Sequence, residues 1–120
     1  MALPGLSRLF GTRPDEATVA ARLDAAVSAV PGVSAHDVSY NHQQYAGGAV
    51  SGTVELPDPE TFGVVLRAVT STLVGQLGKD ADRVTVYLAG RTPDSDSVVP
   101  GDLGFSQPPL GRELVRRFSG

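Results

Sequence analysis

Residues 57–78 have the sequence PDPETFGVVLRAVTSTLVGQLG, which predicts one long amphipathic helix. Asp58 is a typical helix N-cap, and Pro59 suits the first helical position, where a backbone N–H has no partner within the helix. Gly78 is the residue type that commonly ends a helix. Apolar side chains recur every three or four residues, so they share one face. The stripe that this helix would bury consists of Phe62, Val65, Leu66, Val69, Leu73 and Leu77.

Segments in which apolar and polar side chains alternate, with a period of two residues, flank this helix on both sides. Before it, residues 36–42 and 50–56 alternate, and the glycine-rich residues 46–48 lie between them, which together predict a β-hairpin. After it, residues 83–89 alternate in the same way and predict a third strand.

Another amphipathic helix is predicted before the hairpin. We expect Thr12 to be its N-cap and Pro14 to lie in its first turn. The helix should end near Val30, because residues 31–32 are Pro-Gly.

The C-terminal part of the chain has little regular pattern. Residues 90–109 contain four prolines and three glycines, which predicts a loop with at most a short strand at Val98 and Val99. A last short helix is expected from Leu110 to Phe118, and it would bury Leu110, Leu114 and Phe118.

This order of elements predicts an α+β fold, a two-layer sandwich of αββαβ order with a three-stranded sheet covered on one face by two helices. Residues 1–11 would form an apolar N-terminal arm, residues 12–90 the αββαβ domain, and residues 91–120 a Pro/Gly-rich extension with the short helix. One core is expected to contain Leu23, Val54, Leu66, Val69, Leu73, Val84 and Val86.

The composition excludes several classes of protein. The 120 residues contain no cysteine, which excludes disulfide scaffolds, thiolate zinc sites and cysteine nucleophiles. No run of about 18 apolar residues could span a membrane. The first residues lack the apolar stretch of a secretory signal, so we expect a soluble, cytoplasmic protein.

The net charge of −3 is unevenly distributed. Residues 1–14 carry two arginines and no acid, and residues 111–120 carry three arginines and one glutamate, so the stretch between them has a net charge of −7. Because nucleic-acid binding needs a basic surface, nucleic acid is not an expected partner. A KH-like mode of RNA binding also lacks its basic G-x-x-G loop. The basic ends could contact the acidic body or an acidic partner.

Residues 27–33 (VSAVPGV) end the first helix, and residues 83–88 (RVTVYL) form the closing strand. This order of elements and the Val-Pro-Gly-Val phrase resemble the alkaline shock protein family, which has small αββαβ domains. They also look like the ring-building modules of bacterial secretion and sporulation assemblies, and similar junctions occur in ferredoxin-like domains. The resemblance covers residues 15–90. It implies a non-catalytic module that works by protein association, and it transfers no catalytic residues.

The two histidines, His36 and His42, project from the same face of a predicted strand. Six residues of extended strand separate them by about 20 Å. Two ligands of one zinc ion lie much closer together, because each Zn–N bond is only about 2 Å. We therefore expect no metal site, and no cofactor.

Residues 40–45, Tyr-Asn-His-Gln-Gln-Tyr, have the most unusual local composition. Tyrosine and histidine beside amide side chains suit a recognition surface, and a merely polar hairpin tip is the other interpretation. Ser39 and Ser51 lie nearby in sequence, which leaves a nucleophile–base pair open. The chain has no G-x-S-x-G elbow and no phosphate-binding glycine loop.

Two charged clusters complete the candidate sites. Residues 94–97, Asp-Ser-Asp-Ser, and Asp102 look like a calcium loop but lack its glutamate, so an acidic loop on the surface is predicted. Near the C-terminus, Arg112 and Arg116 share a helical face, and we expect them to contact the acidic body.

These observations predict a small non-catalytic protein-interaction or assembly module, with a protein partner or with itself as a homo-oligomer. The alternative is a small-ligand-binding domain or minor enzyme that uses residues 40–45. The apolar arm would fold back on the sheet, dock on a partner or lie on a membrane surface. The residues expected to bind a partner are Leu6, Leu9, Phe10, Tyr40, His42, Gln44 and Tyr45.

Overall fold

A computed structural model of the protein describes residues 15–42, 47–94 and 96–119, which form one sheet and a layer of helices. The elements in chain order are helix α1 (Glu16–Ser28), strand β1 (Ala35–Asn41), strand β2 (Ala49–Glu55), helix α2 (Pro59–Leu77), a 3-10 segment (Gly78–Arg83), strand β3 (Thr85–Arg91), strand β4 (Ser97–Val98), a second 3-10 segment (Pro100–Leu103) and helix α3 (Gly111–Ser119).

An aspartate caps each of the two long helices. Asp58 caps α2 as predicted, and its carboxylate accepts hydrogen bonds from the backbone N–H of Thr61 at 2.9 Å and from its hydroxyl at 2.7 Å. Asp15 caps α1 and accepts the same two bonds from Thr18. The prediction that Thr12 caps this helix is therefore wrong. A carboxylate is the stronger acceptor, and its negative charge is favourable at a helix N-terminus.

The sheet has four strands in the order β1-β2-β3-β4, which corrects the prediction of three. β1 and β2 form the predicted antiparallel hairpin, with Val38 opposite Gly52. β2 and β3 run parallel, because α2 crosses from the end of one to the beginning of the other. β4 then pairs antiparallel with the end of β3, with Val98 opposite Gly90. The extra strand comes from the proline-rich segment that was expected to be mostly loop.

Gly52 packs so closely against β1 that its position leaves no room for a side chain. Its φ angle is 151°, and a Cβ atom there would overlap the carbonyl oxygen of Asp37. Glycine is suited to this conformation because other residues are strained at such an angle.

The outer edge of β3 is covered at both of its ends. β4 lies beside its last residues, and residues 109–111 lie beside its beginning. There the Val86 N–H donates to the Pro109 carbonyl at 3.0 Å, and the Gly111 N–H donates to the Val84 carbonyl at 2.7 Å. Leu110 belongs to this extended segment rather than to α3 and is 36% exposed, so the prediction that the last helix buries it is wrong.

The core lies between the helices and the face of the sheet that they cover. The predicted stripe of α2 is buried along its whole length. The predicted core is confirmed, since one buried cluster contains Leu23, Val54, Leu66, Val69, Leu73, Val84 and Val86. The C-terminal residues Val98, Phe105 and Leu114 belong to the same cluster, so residues 91–120 also contribute to the core.

Candidate interaction site

The two histidines are held at opposite ends of helix α1. Nδ1 of His36 lies 2.7 Å from Oδ1 of Asp24, in the second half of the helix. The backbone N–H of His42 donates to Oε2 of Glu16, the first residue of the helix, at 2.8 Å. Glu16 and Asp24 are separated by about 12 Å of helix. Within the described ranges, no three metal-binding side chains are grouped so that they could hold an ion. That the whole protein binds no metal stays a prediction.

Tyr40 and His42 contact each other at the end of β1. The Tyr40 hydroxyl lies 2.9 Å from Nδ1 of His42, and the two rings meet edge to face with their centroids 5.0 Å apart. Tyr40 is only 5% exposed, and a Cβ atom added at Gly48 would lie 3.1 Å from its hydroxyl oxygen. It therefore anchors the end of the strand and offers little surface to a partner, whereas His42 is half-buried.

The other residues expected to bind a partner lie outside the described ranges. These residues are Leu6, Leu9, Phe10, Gln44 and Tyr45. A recognition role for residues 40–45 and for the arm therefore stays a prediction.

Ser39 and Ser51 lie on the face of the sheet that the helices leave uncovered. Their hydroxyl oxygens are 3.3 Å apart across the β1–β2 pair. The His36 side chain contacts Asp24 of α1, and the His42 side chain contacts the buried Tyr40, so both lie on the other face of the same sheet. Because alternate side chains of a strand project to opposite faces, these serines and histidines do not form the nucleophile–base pair that the sequence left open.

An acidic groove lies beside β4, and we call it the aspartate groove. It has a volume of about 530 Å³, and its lining includes Asp94, Asp96 and Asp102. Apolar residues, among them Pro57 and Leu103, complete its walls. Asp102 also holds the loop in shape, because its carboxylate accepts the Val99 N–H at 2.9 Å. The three carboxylates are not arranged to hold a metal ion, so the likeness to a calcium loop has no counterpart in this part of the chain.

A basic pocket lies at the beginning of α3, and we call it the arginine pocket. Its volume is about 490 Å³, and it is lined by Ser106, Pro108, Leu110, Arg112, Glu113 and Arg116. Arg112 and Arg116 are exposed and one helical turn apart. Neither guanidinium forms a hydrogen bond or ion pair with any described residue, so the predicted contact with the acidic body does not form there. The Glu113 carboxylate instead accepts the backbone N–H of Ser106 at 2.9 Å.

Arg117, by contrast, is engaged in holding α3 in place. Its guanidinium donates to the carbonyl oxygens of Leu103 and Gly104, each at 3.3 Å, and lies 4.3 Å from the centroid of the Phe105 ring. Leu114, on the same helix, is completely buried. These contacts fix α3 against the domain and thereby fix the positions from which Arg112 and Arg116 project.

Sequence reasoning identified the two arginines but not the pocket. The spacing of Arg112 and Arg116 was visible as a shared helical face. The position of Leu110 beside them depends on the extended segment that pairs with β3, which has no local signal in the sequence.

Comparison with known proteins returns no match: no family model fits the chain, and no curated protein or solved structure is significantly similar to it. The resemblance to the alkaline shock protein family therefore stays an expectation from the sequence. None of the helices in residues 15–42, 47–94 and 96–119 is long and apolar enough to cross a membrane.

Proposed function

We propose that the protein is a non-catalytic association module of the cytoplasm, which binds a protein partner and forms homo-oligomers. The observation that supports this most strongly is the arginine pocket, where two guanidiniums without a described partner flank Leu110. Arginine is enriched in protein–protein interfaces, and an apolar centre beside charged groups is the usual arrangement of such a surface.

The polar side chains that could take part in chemistry support the same conclusion, because they are engaged in contacts that hold the fold. His36 contacts Asp24, and His42 contacts Tyr40. The His36–Asp24 contact orients β1 against α1, and the His42–Tyr40 contact supports the end of β1, so both suit a structural role better than proton transfer to a substrate.

Other exposed apolar side chains carry less weight. Val64 is 50% exposed, and Val74 and Tyr87 are each 42% exposed. Single apolar residues on a surface are ordinary in monomeric proteins. Leu110 differs from them because its pocket also contains two arginines that form no hydrogen bond or ion pair with a described residue.

Light scattering of the full chain at increasing concentration tests the proposal. We expect the mean mass to exceed the monomer mass of 12.4 kDa and to rise with concentration. A mass that remains at 12.4 kDa up to about millimolar concentration, the range of the weakest specific complexes, would rule out self-association as the function.

A further inference from the structure

We infer that the arginine pocket of one copy binds the aspartate groove of a second copy of this chain. The inference rests on the proposed function and deepens it, since it names the partner and both of the surfaces that meet. Its basis is the complementarity of two described surfaces and the fixed position of the helix that carries one of them.

The charges of the two surfaces are opposite. The arginine pocket carries Arg112 and Arg116 and one carboxylate, Glu113, which is bound to a backbone N–H. The aspartate groove carries three carboxylates and no basic residue. Opposite potentials steer two proteins together and fix the orientation in which they meet.

The two surfaces also share apolar content, and the groove has room for side chains from outside. Its volume is about 530 Å³, and Arg112 and Arg116 are exposed on α3, so their side chains are the part of the arginine pocket that would enter it. Leu110 and Pro108 would meet Pro57 and Leu103, so contact between the surfaces would remove apolar groups from water as well as pair charges. A charged rim around an apolar centre is what distinguishes such a contact from a simple ion pair.

The proposed partner is a second copy, because within the described parts of their own chain Arg112 and Arg116 form no hydrogen bond or ion pair with the carboxylates of the groove. They cannot move toward it as a unit, since Leu114 anchors α3 in the core and Arg117 ties the helix to the neighbouring loop. Each copy nevertheless carries both surfaces, so every copy can bind another one.

A charge-swap experiment tests the inference. The first variant carries Arg112→Glu and Arg116→Glu, and the second carries Asp94→Arg and Asp96→Arg. Asp102 is left unchanged because its carboxylate holds the Val99 N–H. Each variant alone should remain monomeric at concentrations where the original chain associates, because its pocket and groove then have charges of the same sign.

A mixture of the two variants should associate again, because the reversed pocket meets the reversed groove and the original pocket meets the original groove. The matched control carries Arg22→Glu and Arg67→Glu, which replace two exposed arginines on α1 and α2 and make the same change in net charge as the first variant, outside both surfaces. The control should associate like the original chain. Raising the salt concentration from about 0.05 M to about 0.5 M should weaken association of the original chain at least tenfold, because salt screens exposed charges.

Three results would overturn the inference. The first is association of either variant alone with the affinity of the original chain. The second is a mixture that stays monomeric although both variants show cooperative thermal unfolding. The third is that an anionic polymer such as heparin retains the original chain but not the first variant, while the two chains self-associate equally. That result would assign the pocket to another class of partner. If the original chain is itself monomeric, that result contradicts the proposed function.

Discussion

Leu66 lies in the middle of α2, and its side chain is completely buried. We expect Leu66→Ala to lower the free energy of unfolding by about 2–5 kcal/mol, because it removes buried methyl groups and leaves a cavity. That loss is a large part of the ~5–15 kcal/mol that holds an ordinary domain together. Urea unfolding followed by circular dichroism measures it.

Val64→Ala is the matched control for this substitution, because Val64 lies on the same helix and is 50% exposed. It should change the free energy of unfolding by about 0.5 kcal/mol or less. If Leu66→Ala cost less than about 1 kcal/mol, the assignment of the buried face of α2 would be wrong.

Gly52 and Gly75 should respond in opposite ways to the same substitution. Gly52→Ala adds a Cβ atom that overlaps the Asp37 carbonyl oxygen at a φ of 151°, so we expect a loss of more than about 1 kcal/mol. Gly75 is an exposed residue of α2, and no atom lies within 4 Å of an added methyl group. There alanine should stabilise the protein by about 0.5–1 kcal/mol. Thermal unfolding of both variants gives the signs, and a Gly52→Ala variant as stable as the original chain would contradict the described β1–β2 contact.

At the scale of the elements, the cap of α2 makes a prediction about pH. The hydroxyl and then the backbone N–H of Thr61 hold the pKa of Asp58 below its ordinary value of 3.8, because both bonds favour the carboxylate. A carboxyl whose pKa is lower in the folded state stabilises the fold above pH 3.8, and this contribution is lost as the pH falls through the folded-state pKa. Asp58→Asn keeps an acceptor oxygen but does not titrate.

The quantity to follow is the unfolding free energy of the original chain minus that of Asp58→Asn. We expect this difference to be constant near neutral pH and to decrease in acid, where the Asp58 carboxylate becomes protonated. Urea unfolding at a series of pH values measures this difference, in which the other carboxyl groups cancel. The control is the same comparison with Thr61→Val, which removes the hydroxyl bond and should reduce the pH-dependent part. A difference that does not vary with pH would show that the bond to Thr61 is absent in solution.

The elements differ in how far the sequence predicts them. Helix α2 and the first three strands follow from periodic patterns long enough to define a buried face. β4 has only two residues, and residues 109–111 pair with β3 without any alternation, so both depend on contacts distant in sequence. This is why a three-stranded sheet was predicted and a four-stranded one is found.

The candidate site was predictable only in part for the same reason. The helical spacing of Arg112 and Arg116 places them on one face from sequence alone. Whether they meet the acidic body depends on where α3 is docked, which is determined by Leu114 and by the contacts of Arg117. The partner of His36, an aspartate on a neighbouring helix, is likewise a matter of packing between elements.

The N-terminal arm is expected to take part in association of the whole molecule and not in the stability of the domain. We expect deletion of residues 2–11 to leave the domain folded and to weaken self-association or partner binding. The fully buried residues of the described core lie between Val19 and Leu114. The large apolar side chains of the arm are each worth about 1.5–3 kcal/mol when they are removed from water, so burial against a partner would contribute to association.

Thermal unfolding and solution mass of the full and truncated chains test this prediction together. The expected result is a similar melting temperature and a lower mean mass for the truncated chain. If the truncated chain melted more than about 5 °C lower with an unchanged mass, the arm would belong to the core of its own domain.

The covered edge of β3 has a consequence for nascent or truncated chains that lack the residues covering it. A nascent polypeptide that ends at Arg91 has all the residues of β3 but neither β4 nor residues 109–111. The edge strand it exposes alternates valine and leucine with polar residues, and an open edge of this kind is a template for pairing with other chains. Premature termination or proteolytic clipping after Arg91 should therefore yield a fragment that aggregates through β3. In the complete fold, β4 and residues 109–111 occupy this edge and leave less of it open to another chain.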